Sequence, residues 1–369
     1  MPRNRLLYQS EALFISSGLA SGFNFTSGNS GANTLLQLHR IQSVSHDLSI
    51  SRQDIQQEGQ LSRIDAIITE SPQVNINTSW YITDGSNEQK AGMVVNGLVS
   101  CISGILTKEY EPKNMFILQS AEGNDAVGDT TNATKGVISI GNTFLSNIAW
   151  NASVGQIPTC TASWQAFNMK FDTGASGLST PAINILNGVA LTGINFTIPT
   201  AVAGTGVNIP SAIKPGDVLV TAANGAALGV FTSGSSACPV QSVSVSIPLS
   251  RTKLNRLGSL FAYSLEPQFP VKPTVSLQVY QNDLRTSSLD QVICNDQFVN
   301  LQIQFLNPAC GGTGAPAFVI QANNLKLDSQ SFSNSVGSIA KTVDLSFSAS
   351  IGAASDLVNG IILSGQGRF

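Results

Sequence analysis

Hydrophobic and polar residues alternate along residues 44–51, 243–250 and 343–351. This period of two is typical of a β-strand that buries one face and leaves the other in water. Val74–Tyr81 alternates in the same way and carries Trp80 on its apolar side, where we expect it to be buried. The other apolar positions predicted to face a core are Val44, His46, Leu48, Ile50, Val243, Val245, Ile247, Leu249, Val343, Leu345, Phe347, Ala349 and Ile351.

Two of these stretches belong to a duplicated segment. Aligned without a gap, residues 41–61 and 240–260 share eight identities in 21 positions, whereas unrelated segments of this Ser-rich chain would share about one or two. The identities are Gln42/Gln241, Ser43/Ser242, Val44/Val243, Ser45/Ser244, Ser51/Ser250, Arg52/Arg251, Gly59/Gly258 and Leu61/Leu260. Weaker echoes follow in the same order, between 72–76 and 273–277 after a two-residue shift, and between 165–172 and 321–328. The sequence therefore predicts an internal duplication.

Other segments complete the predicted elements. Ser86 and Asn87 follow an Asp-Gly turn, and apolar residues then recur at helical spacing as far as residue 106, which predicts a helix. Asn224-Gly225 between two apolar runs predicts a β-hairpin within residues 213–231. Further strands are predicted near residues 115–119, 136–140, 148–150 and 162–171.

The predicted fold class is all-β with one or two short helices. We expect an N-terminal arm at residues 1–32, which is rich in Gly, Ser and Asn and predicted to be flexible or dependent on a partner. The first domain is predicted at 33–235, with the hairpin 213–231 inserted, and the second at 236–369.

Composition points to an assembled protein. Charged residues make up 11% of the chain, against about 25% in a typical soluble domain. No apolar run reaches the 18 residues of a membrane span, and the N-terminal apolar stretch is too short for a signal peptide. Such a chain hides its surface in permanent contacts with other subunits, and a Ser/Thr-rich monomer is the alternative. A net charge of −3 excludes a general nucleic-acid binder.

The polar face of the alternating strands is small and carries no Lys, Arg or aromatic residue. An exposed sheet on a monomer normally shows Lys, particularly at its edges. A small neutral-to-acidic face suits the inner wall of a water-filled channel, since Lys or Arg there would bind the phosphates of passing DNA. The alternative is that these residues only reflect a Ser-rich chain. The candidate lumen-facing residues are Ser45, Asp47, Ser49, Ser51, Ser244, Ser246, Asp344, Ser346, Ser348 and Ser350.

Five short segments carry a family resemblance, namely Leu6–Ala12, Arg52–Asp54 with Gly59 behind it, Ser71–Val74, Asp84–Glu88 and Ile213–Asp217. Together they resemble the major tail protein, or tail tube protein, of long-tailed bacteriophages. The resemblance implies tandem tail-tube domains, each a β-sandwich or half-barrel whose strands complete a β-barrel between subunits. Such a barrel leaves no free sheet edge.

The resemblance also implies partners and a location. Rings of the protein stack into a tube around the tape-measure protein, which genomic DNA later replaces, and some tails add a sheath. Because some such tubes fuse two domains in one chain, the duplication implies trimeric, pseudo-hexameric rings. The expected location is the virion, after assembly in the host cytoplasm. Alternatives are a baseplate or distal-tail ring protein of the same fold, or a Ser/Thr-rich adhesin β-sandwich.

The two copies differ in charge after their first strand. Asp54 aligns with Lys253, Gln57 with Arg256 and Glu58 with Leu257. Opposite charges would meet between neighbouring domains or stacked rings and set their register. The inter-domain interface candidates are therefore Asp54, Glu58, Lys253 and Arg256. The alternative is a pair of independently solvated loops.

Catalytic motifs are incomplete, and we expect no enzyme activity, cofactor or metal. Asp172-Thr173-Gly174 resembles an aspartic-protease loop, but such enzymes need two paired carboxylates, and Asp328 is followed by Ser-Gln instead of Thr-Gly. His46 stands where the second copy has Val245, which indicates a packed imidazole.

The remaining candidate groups also lack a binding pattern. Five cysteines without a CxxC pair indicate buried, reduced thiols of a protein made in a cytoplasm. The glycine cluster at 310–314 lacks the Lys of a phosphate-binding loop, and Glu122, Asp125 and Asp129 do not match calcium-loop spacing.

Overall fold

The computed structural model of the chain describes residues 11–16, 35–108, 111–121, 124–128, 135–184, 188–191, 195–202, 211–223, 240–280, 298–307, 314–333, 342–352 and 359–365. Strands dominate these residues, which confirms the predicted all-β class. Two short helices, α1 (Ser86–Lys90) and α2 (Ser103–Leu106), and a 3-10 turn at Pro215–Asp217 are the helical elements of the described part.

The described residues form strands in both halves of the chain. In chain order they are β1 (Glu11–Ser16), β2 (Leu35–Gln37), β3 (Ile41–Ser49), β4 (Arg52–Ile55), β5 (Asp65–Ile68), β6 (Gln73–Tyr81), β7 (Lys113–Gln119), β8 (Gly136–Ser153), β9 (Thr159–Ala166), β10 (Asn168–Thr173), β11 (Leu178–Ser179), β12 (Ile183–Asn184), β13 (Val189–Ala190), β14 (Asn195–Phe196), β15 (Val218–Ala223), β16 (Val240–Pro248), β17 (Arg251–Leu254), β18 (Ser264–Pro267), β19 (Thr274–Tyr280), β20 (Val299–Leu306), β21 (Pro316–Ser333), β22 (Thr342–Ser348) and β23 (Gly360–Gly365).

One antiparallel sheet runs through both halves of the chain, in the order β3-β6-β9-β8-β16-β19-β22-β21. We call it the shared sheet. Its first four strands come from the first half of the chain and its last four from the second. The halves meet where Asn147–Ser153 of β8 pairs with Ser242–Pro248 of β16, a contact that we call the internal junction.

Each half adds a second sheet through one long strand. β8 and β21 have 18 residues each and leave the shared sheet at their N-terminal ends. There β8 lies in the order β2-β1-β7-β8-β10, and β21 in the order β15-β20-β21-β23. The apolar sides of both sheets contribute to one large core, so each half is a β-sandwich. We call residues 11–173 the first repeat and residues 218–365 the second repeat.

The two repeats agree in strand register, bulge for bulge. A bulge interrupts β3/β6 between Ile41 and Ser43, and another interrupts β16/β19 between Val240 and Ser242. The bulge of β8/β9 between Leu145 and Asn147 recurs in β21/β22 between Leu327 and Ser329, and that of β7/β8 between Lys113 and Met115 recurs in β20/β21 between Val299 and Leu301. The chain is therefore a duplication, with β3 equivalent to β16 and β8 equivalent to β21.

These registers correct two details of the predicted repeat. Ser45 pairs with Asn77 as Ser244 pairs with Ser276, so the alignment continues into β6 and β19 without the expected two-residue shift. The echo between residues 165–172 and 321–328 is also wrong, because the second segment lies in β21, whose counterpart is β8.

Several predicted elements have different bounds. The helix expected up to residue 106 is only α1 and α2, because Gly92 and Gly97 between them adopt φ angles of 98° and 72°. The strands expected at 136–140 and 148–150 are one strand, β8, and the strand expected at 162–171 is divided into β9 and β10.

Two predicted segments near the domain boundaries take part in the sandwiches. Within the predicted arm, residues 12–16 of β1 are buried and pair with β7, so these residues are not flexible, and the rest of the arm lies outside the described residues. β15 is the first half of the predicted hairpin 213–231 and pairs with β20 of the second repeat. The other half of that hairpin lies outside the described residues. The boundary at 235/236 stays a prediction.

Candidate functional site

The polar face of the shared sheet continues across the internal junction. We call it the channel face. Its charged residues are Asp47 and Asp344, together with Lys326, which lies opposite Ser348, and Asp328, which accepts a hydrogen bond from Ser348. Its residues are Ser45, Asp47, Ser49, Gln73, Asn75, Asn77, Ser79, Asn147, Ala149, Asn151, Thr161, Ser163, Ser242, Ser244, Ser246, Thr274, Ser276, Gln278, Lys326, Asp328, Ser329, Ser331, Asp344, Ser346 and Ser348.

Side-chain hydrogen bonds run along this face from strand to strand. At the internal junction the Ser244 hydroxyl donates to Asn151 Oδ1 at 2.7 Å. In the first repeat the Asn75 amide donates to Asp47 Oδ2 at 3.0 Å, and in the second Gln278 donates to Asp344 Oδ1 at 2.9 Å. The polar groups are therefore partly satisfied by each other, and they leave few strong donors free to hold a passing polymer.

The channel face is grooved where the two repeats meet. A groove of about 430 Å³ is lined by residues of both repeats, among them Asn151, Ser244 and Asp344. Lys326 lies within β21 opposite Ser348, and its ammonium is placed over the Phe298 ring at 5.0 Å.

The structure brings eight of the ten predicted lumen residues onto this one face. Ser45, Asp47 and Ser49 lie on β3, Ser244 and Ser246 on β16, and the Asp344–Ser348 positions on β22. Ser51 and Ser350 lie beyond the ends of their strands. That this face borders a channel stays a prediction.

The opposite, apolar face of the internal junction is buried. Trp150 of β8 lies opposite Val245 of β16, Ile148 lies opposite Ile247, and Leu249 follows with its amide donating to the Ser146 carbonyl at 2.8 Å. All of these apolar side chains belong to the main core. The junction is therefore core-like, and the two repeats are packed as one body.

Arg251 anchors the β17–β18 hairpin to the first repeat. Its guanidinium is fully buried and pairs with Glu111 through both carboxylate oxygens, one of them at 3.1 Å. Arg251 also donates to the carbonyls of Leu145 at 2.7 Å and Leu265 at 2.9 Å, and it lies 5.3 Å from the Phe144 ring centre. Burial raises the pKa of Glu111, although the Arg251 charge opposes that shift.

Further contacts hold the same hairpin against the first repeat. Lys253 donates to the Ser71 carbonyl, and Lys108 forms an ion pair with Glu266 at 2.8 Å. A small apolar cluster joins the hairpin region to the first repeat, and its buried members are Phe144, Phe167, Ile183, Ala262 and Leu265.

The equivalent hairpin of the first repeat, β4–β5, makes no such contact among the described residues. All four residues of β4 are exposed, and Arg52 stands where the second repeat has the buried Arg251. Apolar side chains are exposed along this hairpin and the adjoining end of β3, namely Leu48, Ile50, Ile55, Leu61, Ile64, Ile67 and Ile68.

The structure places the four predicted interface residues in these two hairpins without pairing them with each other. Asp54 forms an exposed ion pair with Arg63 of its own hairpin at 3.1 Å, while Lys253 is bonded to Ser71. Glu58 and Arg256 lie in the two exposed hairpin loops. Their pairing between subunits stays a prediction.

A buried carboxylate that the sequence did not single out lies in the core of the first repeat. Glu88 of α1 accepts hydrogen bonds at Oε1 from the indoles of Trp80 at 3.0 Å and Trp150 at 3.3 Å. Burial raises the pKa of Glu88. Trp80 is buried as predicted. The sequence could not predict that Glu88 is buried, because the burial of a Glu within a predicted helix depends on tertiary packing.

The two carboxylates considered for a protease-like pair have different partners. Asp172 forms an ion pair with Lys170 at 3.0 Å on β10, whereas Asp328 accepts a hydrogen bond from Ser348 in the shared sheet. Burial and the nearby Lys90 lower the pKa of His39 to about 4. Within the described ranges, no three His, Cys, Asp or Glu side chains come together as a metal site.

The remaining candidates are structural or lie outside the described residues. His46 is half-buried on β3 opposite Ile76, and Cys101 and Cys160 are buried thiols as predicted. The glycine cluster and three cysteines, Cys238, Cys294 and Cys310, fall mostly or wholly outside the described part. No helix in the described part of the chain is long and apolar enough to cross a membrane.

Comparisons with known proteins find similarity at the level of solved structures. No protein-family model and no curated protein sequence matches the chain. The chain is similar to the tube-terminating cap of the anti-feeding prophage, with a TM-score of 0.31 and 13% identity over 45% of this chain and 99% of that chain.

Two further solved structures give weaker similarity. One is the tail of an empty GTA particle, with a TM-score of 0.26 and 15% identity over 37% of this chain and 92% of that chain. The other is the anti-feeding prophage baseplate, with a TM-score of 0.24 and 14% identity over 40% of this chain and 92% of that chain. Similarity at this level does not define the function of the chain.

Proposed function

We propose that this chain is a structural subunit of a phage-type tail. Copies join edge to edge into rings, and the rings stack into a tube.

 Three chains with two repeats each would form a ring of six similar sandwiches, and the channel face would line the bore of the tube in the virion.

The observation that carries this proposal is the form of the shared sheet. Among the described residues, β3 pairs only with β6, and Ser329–Ser333 of β21 pairs only with β22, so the sheet has an open edge on each side. Open edges are a liability that proteins usually cover, and closing them between subunits gives a continuous barrel. The face that would turn inward is mostly small and polar, and Lys326 is the cation on it among the described residues.

The chemistry of the channel face fits the passage of DNA. Each Lys or Arg on the wall of the bore would add affinity for phosphate and slow a moving duplex. Short hydroxyl and amide side chains leave the wall wet and neutral to slightly acidic. The same wall would house a tape-measure protein before DNA enters, and a sheath would contact only the outside of the tube.

Electron microscopy of the purified chain tests the proposal. We expect hollow cylinders with a regular axial repeat and a bore wide enough for duplex DNA. Single closed rings that never stack would instead support a baseplate or distal-tail ring protein. A protein that stays monomeric at every concentration would overturn the proposal and favour the adhesin-type sandwich.

Thiol labelling tests which face lines the bore. Thr161→Cys introduces a thiol at an exposed position of the channel face, and Leu98→Cys is the matched control on an exposed loop away from it. In assembled tubes a small maleimide should reach both thiols, whereas a maleimide carrying a large polymer should label only the control. Equal labelling by the large reagent at both positions would contradict an inward channel face.

A further inference from the structure

We propose that β21 of one copy of this chain pairs with β3 of a second copy in the register that β8 and β16 have at the internal junction. This inference rests on the proposed function, because it assigns the contact by which copies would close a ring. We call this contact the interchain seam. The internal junction is its template, since β3 is equivalent to β16 and β21 is equivalent to β8.

The equivalence fixes which residues face each other across the seam. At the internal junction Ser246 lies opposite Ala149, and Ile247 lies opposite Ile148. The shared bulges make Asp47 equivalent to Ser246 and Ser331 equivalent to Ala149. Asp47 should therefore lie opposite Ser331 of the second copy, which extends the channel face from one copy to the next without introducing a cation.

Exposure shows that β3 lacks the cover that β16 has. Leu48 and Ile50 are 48% and 41% exposed, whereas their equivalents Ile247 and Leu249 are 0% exposed at the internal junction. Apolar side chains that stay exposed side by side on an unpaired edge indicate an interaction surface. A strand added to β3 in the template register would cover them.

The edge of β21 shows the complementary difference. Phe332 is 56% exposed, whereas its equivalent Trp150 is 1% exposed beneath the internal junction. In the template register Phe332 lies opposite His46 of the second copy, on the apolar face of both strands. Among the described residues, each edge therefore exposes an apolar side chain whose equivalent is buried at the internal junction, and pairing of the two edges would cover both.

The β4–β5 hairpin adds a second part of the same seam. Its equivalent, β17–β18, lies against the first repeat, where Arg251 donates to the Leu145 carbonyl. Arg52 of β4 is equivalent to Arg251, and Leu327 is equivalent to Leu145. The exposed isoleucines of β4–β5 would accordingly lie over the β21 bulge of a neighbour, with Arg52 near the Leu327 carbonyl.

A second copy fits this surface better than another protein does. The two edges lie on opposite sides of one sheet, so head-to-tail pairing uses both of them and closes when the rotation per chain divides a full turn. Strand addition of this kind is a general mode of recognition. A different partner would have to match each edge separately.

Disulfide trapping tests the register. In assembled protein, the in-register pair Asp47→Cys with Ser331→Cys should cross-link roughly tenfold more than Asp47→Cys with Ser329→Cys, because only directly opposite Cα atoms fall within disulfide range. On a non-reducing gel the product should be a ladder that ends at the number of chains in one ring. Ser246→Cys with Ala149→Cys is the positive control within one chain, and each single variant controls for native thiols.

A charge variant tests the same seam without a cross-link. Leu48→Lys should abolish self-association, because it places an ammonium in the buried part of the seam, while Leu98→Lys should assemble like the unmodified chain. Both residues are exposed, so both variants should keep the unfolding temperature of the isolated chain. Assembly of Leu48→Lys at the normal concentration would overturn the proposed seam.

The outcomes separate this inference from the proposed function. Tubes in which the out-of-register pair cross-links as well as the in-register pair would overturn the seam and leave the tube function standing. Closed rings that cross-link in register but never stack would support the seam and overturn the tube function.

Discussion

β3 and β16 are equivalent strands in one chain, with the same alternation and the same bulge, yet their surroundings differ. β16 lies between β19 and β8, and its apolar side chains are buried in the core. β3 pairs only with β6 in the described part, and Leu48 at its end is exposed. The difference shows that the position of a repeat in the chain, and not its own sequence pattern, decides which of its strands are covered within the described part.

The hairpins that follow these strands show the same difference. β17–β18 is held by the buried Arg251–Glu111 pair, whereas β4–β5 is exposed along its length.

The largest predicted effect distinguishes the two equivalent arginines, Arg251 of β17 and Arg52 of β4. In the unassembled chain, Arg251→Ala should lower the free energy of unfolding by about 3–5 kcal/mol, because it leaves Glu111 buried without its partner. Arg52→Ala, the equivalent change, should stay within about 0.5 kcal/mol. Urea unfolding curves of both variants measure this difference. Equal losses would show that the hairpins are not distinguished by the internal junction.

A smaller effect is predicted for the paired apolar positions on β16 and β3. Ile247→Ala should cost about 2–5 kcal/mol in the unassembled chain, since it opens a cavity in the core. Leu48→Ala should cost less than about 1 kcal/mol there, because the side chain is already exposed. The unfolding midpoints in urea provide the test. A large loss for Leu48→Ala below the assembly concentration would mean that β3 is covered within the chain.

The smallest predicted effect concerns Glu88, for which the described part of the second repeat has no counterpart. Burial raises the pKa of Glu88, so Glu88 binds a proton more tightly in the folded chain than in the unfolded chain. Its contribution to the free energy of unfolding therefore decreases as the pH rises above about 4.5. Glu88→Gln removes this dependence of stability on pH. The free energy of unfolding of the variant, relative to that of the unmodified chain, should therefore rise by about 1–3 kcal/mol between pH 5 and pH 8.

Thermal unfolding across this pH range measures the effect of Glu88. Glu58→Gln, in the exposed β4–β5 loop, is the matched control and should leave the pH profile unchanged. If the difference in stability between Glu88→Gln and the unmodified chain is the same at every pH, burial does not raise the pKa of Glu88.

Much of the fold could be predicted from local pattern because the relevant forces are local. Alternation alone gave the strands around Val44, Val243 and Val343, since a half-buried strand needs one apolar residue in every two. The repeat was detectable where the two copies share a bulge and a hairpin. It was misaligned further on, at 165–172, because short similar strands can be matched in more than one register.

Other features depend on contacts between distant residues, and no local sequence pattern indicates them. The helix expected up to residue 106 is interrupted at Gly92 and Gly97, where the backbone turns to meet β23. The Arg251–Glu111 pair joins residues from different repeats, and Glu88 becomes a buried acceptor only when Trp80 and Trp150 come together above it.

By itself, the sequence determined that the chain is all-β, duplicated, poor in charge and lined along one strand face with small polar residues. These properties follow from composition and from the period of two, which each strand carries in its own residues. Only the tertiary structure decided that β8 and β16 join the repeats into one sheet and that β3 and β21 are left at its edges. The reason is that burial depends on which strand lies alongside, and equivalent strands such as β3 and β16 carry the same pattern in both situations.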